Sequence, residues 1–195
     1  FFLENDMLEL QAAFASTKKV MILAGQQRTD HELNVMLMQL AQYSNTVILC
    51  ETTSNIQHKD FIENIDRCIV SLNEKDIKDF MPDLLITLGG AIVSKKIKAI
   101  LRKNKPSQHW NIHPYDAFID SYKSLTRPIS MDANDFFKQF LQNLNTPSGS
   151  DHKNKWNQRA SLLENKHHEF ISDIEYSELY VFSKVSSKIP ADNSV

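Results

Sequence analysis

Glycine is scarce in this chain: four among 195 residues. A glycine-rich phosphate cradle can therefore be sought in only two places, at Gly25-Gln26-Gln27 and at the pair Gly89-Gly90. Neither continues as GxGxxG, so a tightly held NAD or FAD pyrophosphate lacks its usual backbone cradle. The phosphate loop GxxxxGK[ST] is missing too, because Gly90 to Lys95 has neither spacing. Cysteine is equally sparse. Cys50 and Cys68 make no CxxC or metal-ligand spacing and fall on separate predicted strands, which reads as two buried structural thiols in a reducing cytoplasm.

Long apolar runs are absent as well. The strongly apolar stretch Val20 to Ala24 is far shorter than the about 20 residues that cross a bilayer, so no membrane span is expected. Nor does one sign of charge dominate. Lys and Arg number 22 against 24 Asp and Glu, for a net charge of -2. Such a balance sets up no global field toward nucleic acid or an anionic membrane surface. The opening Phe1-Phe2-Leu3-Glu4 has neither an initiator Met nor a basic region leading into an apolar one. It does not read as a signal peptide, and the expectation is a piece of a longer polypeptide.

What the chain does have is 42% hydrophobic residues with 24% charged ones, enough to bury a core. Short runs rich in Val, Ile and Leu alternate with longer segments of helical periodicity. That alternation predicts an α/β fold, a Rossmann-like parallel sheet of about six strands flanked by helices. Continuous apolar strands fit a sheet covered on both faces. The expected strands are 20–25, 46–50, 68–70, 84–88 and 108–112, with a short one at 127–129. Short helices are expected at 59–65 and 74–80, longer ones after Asp30, over 94–102 and over 136–144, with Asp30, Asn73 and Asp132 as caps.

Residues 1–16 read as a lead-in helix and 17–145 as the central domain. Asn145 to Ser150 combines Pro, Gly and Ser exactly where the alternation stops, and marks a boundary. Residues 146–195 then read as a linker and two helices, 153–171 and 176–187, from a truncated next domain.

Candidate chemistry is thin. His109 and His113 lie about 13 Å apart along a strand, too far to share one metal. His167 and His168 diverge by about 100° on a helix. All seven histidines are read as surface or packing residues, and no G-x-S-x-G turn supports a triad. The one suggestive place is Gly89-Gly90, where a strong strand turns into a helix that opens Ser94-Lys95-Lys96. Ligands of open α/β sheets bind beyond the carboxyl ends of the strands. Cations in a first helical turn oppose the helix dipole, and a bound carboxylate or phosphate reverses that sign. The same lysines, with Lys98, Arg102, Lys103 and Lys105, could equally form one solvated basic face. The polar loop Glu51 to Asn55 follows the second strand and should wall the same crevice, or be an ordinary connection.

Pro82 to Lys96, PDLLITLGGAIVSKK, followed by the Trp-containing strand His109-Trp110-Asn111-Ile112, resembles a known family. So do the loop Glu51 to Ile56 and the tail from Lys155-Trp156. The family is the thiamine-diphosphate-dependent 2-succinyl-5-enolpyruvyl-6-hydroxy-3-cyclohexene-1-carboxylate synthases of menaquinone biosynthesis, and the likeness covers nearly the whole chain. It implies the middle domain of a three-domain parent plus the opening of the last domain. The parent would decarboxylate 2-oxoglutarate on thiamine diphosphate with Mg2+ and add the product to isochorismate, as a cytoplasmic homodimer or homotetramer.

The resemblance gives Lys95 and Lys96 a role as cationic partners of dicarboxylate substrates. Many members have Gly-Lys-Arg where this chain has Ser94-Lys95-Lys96, and lysine does not reproduce a bidentate guanidinium clamp. No catalytic residue, metal or cofactor is assigned to this fragment, which is expected to be inactive alone. Asn193-Ser194 looks like a functional Asn-Ser pair of the family but precedes the strand that should come before it, and is left out of the site. A non-catalytic Rossmann-like nucleotide- or anion-binding module is the alternative, and a purely architectural spacer a third.

Overall fold

The fold is that of a computed structural model, which describes residues 4–147 and 149–189. Phe1 to Leu3, Pro190 and the pair Asn193-Ser194 lie outside the described residues. Five strands form one parallel sheet: β1 (Val20–Ala24), β2 (Thr46–Cys50), β3 (Leu84–Leu88), β4 (Gln108–Ile112) and β5 (Arg127–Ile129). Their order is β2-β1-β3-β4-β5. The first three are buried at every position, as the unbroken apolar runs require when helices cover both faces.

Alternate side chains of one strand serve two cores. Val20, Ile22 and Ala24 face one layer and Met21 and Leu23 the other. The first layer holds α1 (Glu4–Ser16), α2 (His31–Leu40) and α6 (Ala133–Leu141). Phe14 of α1 meets Phe140 of α6 edge to face, with ring centroids 5.3 Å apart. The second layer holds α3 (Ile65–Val70), α4 (Glu74–Phe80) and α5 (Lys95–Lys103). The expected caps are in place: Asp30 accepts from Leu33 N–H, Asn73 from Lys75 and Asp76 N–H, and Asp132 from Asn134 N–H.

One expected strand is a helix. Residues 68–70 belong to α3, so Cys68 sits on a helix and the sheet has five strands. The apolar positions Ile65, Cys68 and Ile69 are spaced for one helical face and are buried, while Val70 points outward and is 61% exposed. The expected helix at 59–65 is instead a loop that pairs at one residue with the free edge of β2, through Ile62 N–H to Ile48 O (2.8 Å) and Cys50 N–H to Ile62 O (3.1 Å). That contact covers an edge left open by the lost strand. Both cysteines are free and buried, and burial pushes the Cys50 thiol up to about 12.

Two helices follow the Pro/Gly/Ser segment: α7 (His152–Asp173) and α8 (Glu178–Ser186). α7 starts on the body of the fold. Trp156 is fully buried in the second core, donates from its indole to Phe80 O (3.2 Å) and stands edge-on to the Phe80 ring. Arg159 lies over the Phe80 ring, 5.4 Å from its centroid, and donates to Cys68 O. Farther along, Leu162 and Phe170 are exposed, as are Leu179, Val181, Phe182 and Val185 of α8.

Two histidines are held neutral inside. His109 on β4 and His152 at the start of α7 are each 1% exposed, and burial lowers both to about 4 from an ordinary 6.5. Asp120 pulls His109 slightly back up, while Lys19 pushes His152 further down.

Two outcomes are expected. Trp156→Ala should cost about 3–5 kcal/mol, measured by urea denaturation, because it deletes a buried indole with its hydrogen bond. Between pH 6.5 and about 4 the unfolded chain binds more protons than the folded one. The contribution of these histidines is therefore whole above pH 6.5 and lost as pH falls toward 4. The urea midpoint should drop across that window, and less so in His152→Gln; an equal drop in the variant would exclude His152 as a source.

Candidate functional site

In the order β2-β1-β3-β4-β5 the chain departs from β1 in opposite directions, so β1 and β3 flank the topological switch point where such sheets open a crevice. Here backbone fills it. Gly25 N–H donates to Leu88 O (2.9 Å), Gln26 N–H to Ala91 O (3.2 Å) and Gly90 N–H to Gln26 O (2.7 Å). The loops after β1 and β3 are thus laced together. A Cβ on Gly25 would lie 2.1 Å from Gly90 O, and Gly89 has φ +72°, so glycine is required at both. Two of the scarce glycines therefore hold one loop against another, in the place a pyrophosphate cradle would occupy.

The loop after β2 joins this crown. Gln27 N–H donates to Thr53 O (3.2 Å), and Asn55, at φ 52°, donates from its side chain to Gln27 O (2.7 Å). Glu51, the first residue beyond β2, reaches across to the start of α5. One carboxylate oxygen accepts from Val93 N–H and the other from Ser94 N–H, each at 2.7 Å. The expected wall from Glu51 to Asn55 is present, and Glu51 makes it a brace. The first turn of α5 carries Lys95 and Lys96 and no acidic residue of its own. Glu51 supplies the missing negative charge from another element. Ser94 caps the helix, accepting from Ile97 N–H (3.1 Å) while its hydroxyl donates to Asp66.

Lys95 and Lys96 are exposed and line a broad, open depression of about 760 Å3 together with Glu51, Thr52, Asp66 and Arg67. Its charges are unequally committed. Both Glu51 oxygens are taken by amides, Asp66 by Ser94, and Arg67 by Glu164 of α7. The two ammonium groups form no hydrogen bond or ion pair among the described residues, and Glu63 is the carboxylate of this rim left without one. Lys98, one turn on, bends away and donates to Ile92 O (2.8 Å). Arg102 and Lys103 are tied to Ser121 O and Glu74. The basic run is therefore not one uniform solvated face; its first two members stay uncommitted at the carboxyl edge, while the Lys105 side chain, past the end of α5, likewise has no hydrogen bond or ion pair among the described residues.

Beside the switch point, between the ends of β3 and β4, lies a more enclosed cavity of about 280 Å3, lined by Thr87, Lys98, Asn111 and Tyr122 among others. A polar network forms its floor. Asn111 donates to Asp116 O (3.2 Å) and Ala117 O (2.9 Å), which turns its carbonyl to the Thr87 hydroxyl at 2.7 Å. Having donated there, Thr87 accepts from His109 Nε2 (2.9 Å), leaving Nδ1 to accept from Ser124 (3.3 Å). His109 is consumed in packing, and His113 accepts from Tyr115 and Asp116 N–H within its own loop. Among the described residues no group of three His, Cys, Asp or Glu could hold a metal ion.

A family model described as "Middle domain of thiamine pyrophosphate", that is, of thiamine pyrophosphate enzymes, matches residues 5–195. The chain belongs to this family. Three curated relatives carry the name 2-succinyl-5-enolpyruvyl-6-hydroxy-3-cyclohexene-1-carboxylate synthase. The one from Flavobacterium johnsoniae is 34% identical over 100% of this chain and 36% of its own length. That from Flavobacterium psychrophilum is 34% identical over 97% of this chain and 35% of the relative. That from Porphyromonas gingivalis is 29% identical over 92% and 32%. The chain thus spans about a third of the relatives it matches. In this middle domain the carboxyl edge at the switch point is occupied by loops laced to one another.

Asp66 escaped sequence reasoning, and Glu51 was read as part of a crevice wall rather than as a clamp on the α5 amides. The available signal was a lysine pair at a helix start with no acidic residue in that turn, beside a strand that ends in Glu. Gly25→Ala should destabilise the domain by about 1–3 kcal/mol or more, since the intruding methyl meets backbone rather than a movable side chain. Thermal melting checks this, and an unchanged midpoint would mean the two loops separate without cost.

Proposed function

We propose that this chain is the middle region of a 2-succinyl-5-enolpyruvyl-6-hydroxy-3-cyclohexene-1-carboxylate synthase and that Lys95, with Lys96 beside it, binds a carboxylate of a dicarboxylate substrate. The observation that carries this is the pair of uncommitted ammonium groups on the open side of a braced helix start. The relatives' name supplies the reaction class, and the substrates are 2-oxoglutarate and isochorismate. Both are dicarboxylates and call for cationic partners.

In the whole enzyme, thiamine diphosphate with Mg2+, held by other domains, supplies the decarboxylation and carbon-carbon bond-forming chemistry. This chain's part is electrostatic. Lys95 neutralises and places one substrate carboxylate, and Lys96 adds positive potential at the same rim. As compact point charges on flexible stems they tolerate varied carboxylate geometry, where a guanidinium would impose a fork.

The fragment by itself is catalytically silent on this reading, and residues 146–195 carry the chain from the middle domain into the next. The parent is a cytoplasmic homodimer or homotetramer. Among the described residues no helix is long and apolar enough to cross a membrane.

The cavity between β3 and β4 favours a second reading, a small-ligand module, because it is the more enclosed concavity. Thermal-shift titration with ADP, NAD, FAD and the two dicarboxylates separates them, since a bound ligand raises the melting point by mass action. Saturable micromolar nucleotide binding would overturn the first reading. In the full-length enzyme, Lys95→Ala should raise KM for a dicarboxylate substrate about tenfold or more, the size of one lost charge-assisted hydrogen bond, while cofactor affinity stays unchanged. Unchanged kinetics would leave the domain a spacer.

A further inference from the structure

We infer that Glu51 is a positioning residue for substrate recognition, acting through Lys95; the inference rests on the reading of Lys95 above. Three observations carry it. Glu51 clamps the two amides that immediately precede Lys95, one on each carboxylate oxygen, both at 2.7 Å. It comes from a different element, at the end of β2, so it ties the lysine turn to the sheet itself. And Val93 is 68% exposed, so its own side chain does not anchor its amide, while Ile92 and Ser94 on either side are buried.

The clamp also decides what kind of recognition the site performs. A helix start offers an incoming carboxylate two kinds of donor, backbone N–H groups and side-chain cations. Glu51 takes the Val93 and Ser94 amides, and the Ser94 hydroxyl takes Ile97 N–H. Substrate is thereby kept off these amides and directed to the ammonium groups. Glu51 is at once a brace and an internal carboxylate that fills the competing position.

Glutamine at this position has one acceptor oxygen, and its NH2 would face the second amide, donor to donor. In the full-length enzyme Glu51→Gln should therefore raise KM for the dicarboxylate about tenfold while kcat changes less than about twofold, as expected when one charge-assisted bond is lost. Glu51→Asp, which keeps both acceptors and the charge, should recover most of that loss. If Glu51→Gln fails to fold, Glu51→Asp still reads the effect, because its shorter stem should give a smaller rise in KM with kcat intact.

The double variant decides whether the two residues act together. In a Lys95→Ala background, Glu51→Gln should add no further rise in KM. An unchanged KM in Glu51→Gln, or effects that multiply in the double variant, would overturn the positioning role while leaving Lys95 as a substrate ligand. If Lys95→Ala itself leaves KM unchanged, the reading beneath it falls, and the Glu51 role with it. A fall in melting temperature with KM unmoved would make Glu51 a structural brace only, against the inference.

Discussion

Backbone pressed directly against backbone at the end of β1 and β3 is the constraint on which the carboxyl edge depends. Gly25 lies so near Gly90 O that no side chain fits between them, and three hydrogen bonds lace the two loops. The switch point of a parallel sheet is ordinarily its most open place. With that place closed, the helix after β3 starts at a fixed height above the sheet, and what remains to be presented is its first turn. A middle domain gains from such stiffness, because a loop held by its own chain does not have to be ordered when a ligand arrives.

Charge then divides along α5. The helix opens with two lysines against its own dipole, an arrangement that costs about 0.3–1 kcal/mol per exposed cation. Glu51 offsets that cost by placing a carboxylate on the amides of the same turn. Later cations are drawn into bonds with Ile92, Ser121 and Glu74. On a chain whose net charge is -2, the depression is lined by three acidic and three basic residues, of which Lys95, Lys96 and Glu63 are left uncommitted. A global balance of that kind says little about a rim where Glu51, Asp66 and Arg67 have already found partners.

Much of this was legible in the residues. Unbroken apolar runs identified three strands, β1, β2 and β3, because a sheet covered on both faces leaves no polar alternation to confuse them. Asp30, Asn73 and Asp132 declared their helices through the chemistry of capping. The stretch 68–70 misled because three apolar residues in a row do not carry a period; only Ile65, three residues earlier, shows that the spacing is helical. Trp156 gave little sign that it would insert beneath Phe80, since its partner at helical spacing on the same core, Ala160, is small and the rest of the helix is mostly polar. Glu51 was visible as part of a loop, but its grip on Val93 and Ser94 spans more than forty residues, and such pairing lies beyond any local pattern.

The most direct measurement is a crystal structure of the full-length enzyme with an unreactive dicarboxylate analogue of its substrate bound. The account predicts a ligand carboxylate oxygen about 2.7–3.2 Å from Lys95 Nζ, with Glu51 still seated on the Val93 and Ser94 amides. A ligand carboxylate occupying those amides with Glu51 displaced, or one lying out of reach of both ammonium groups, would contradict it.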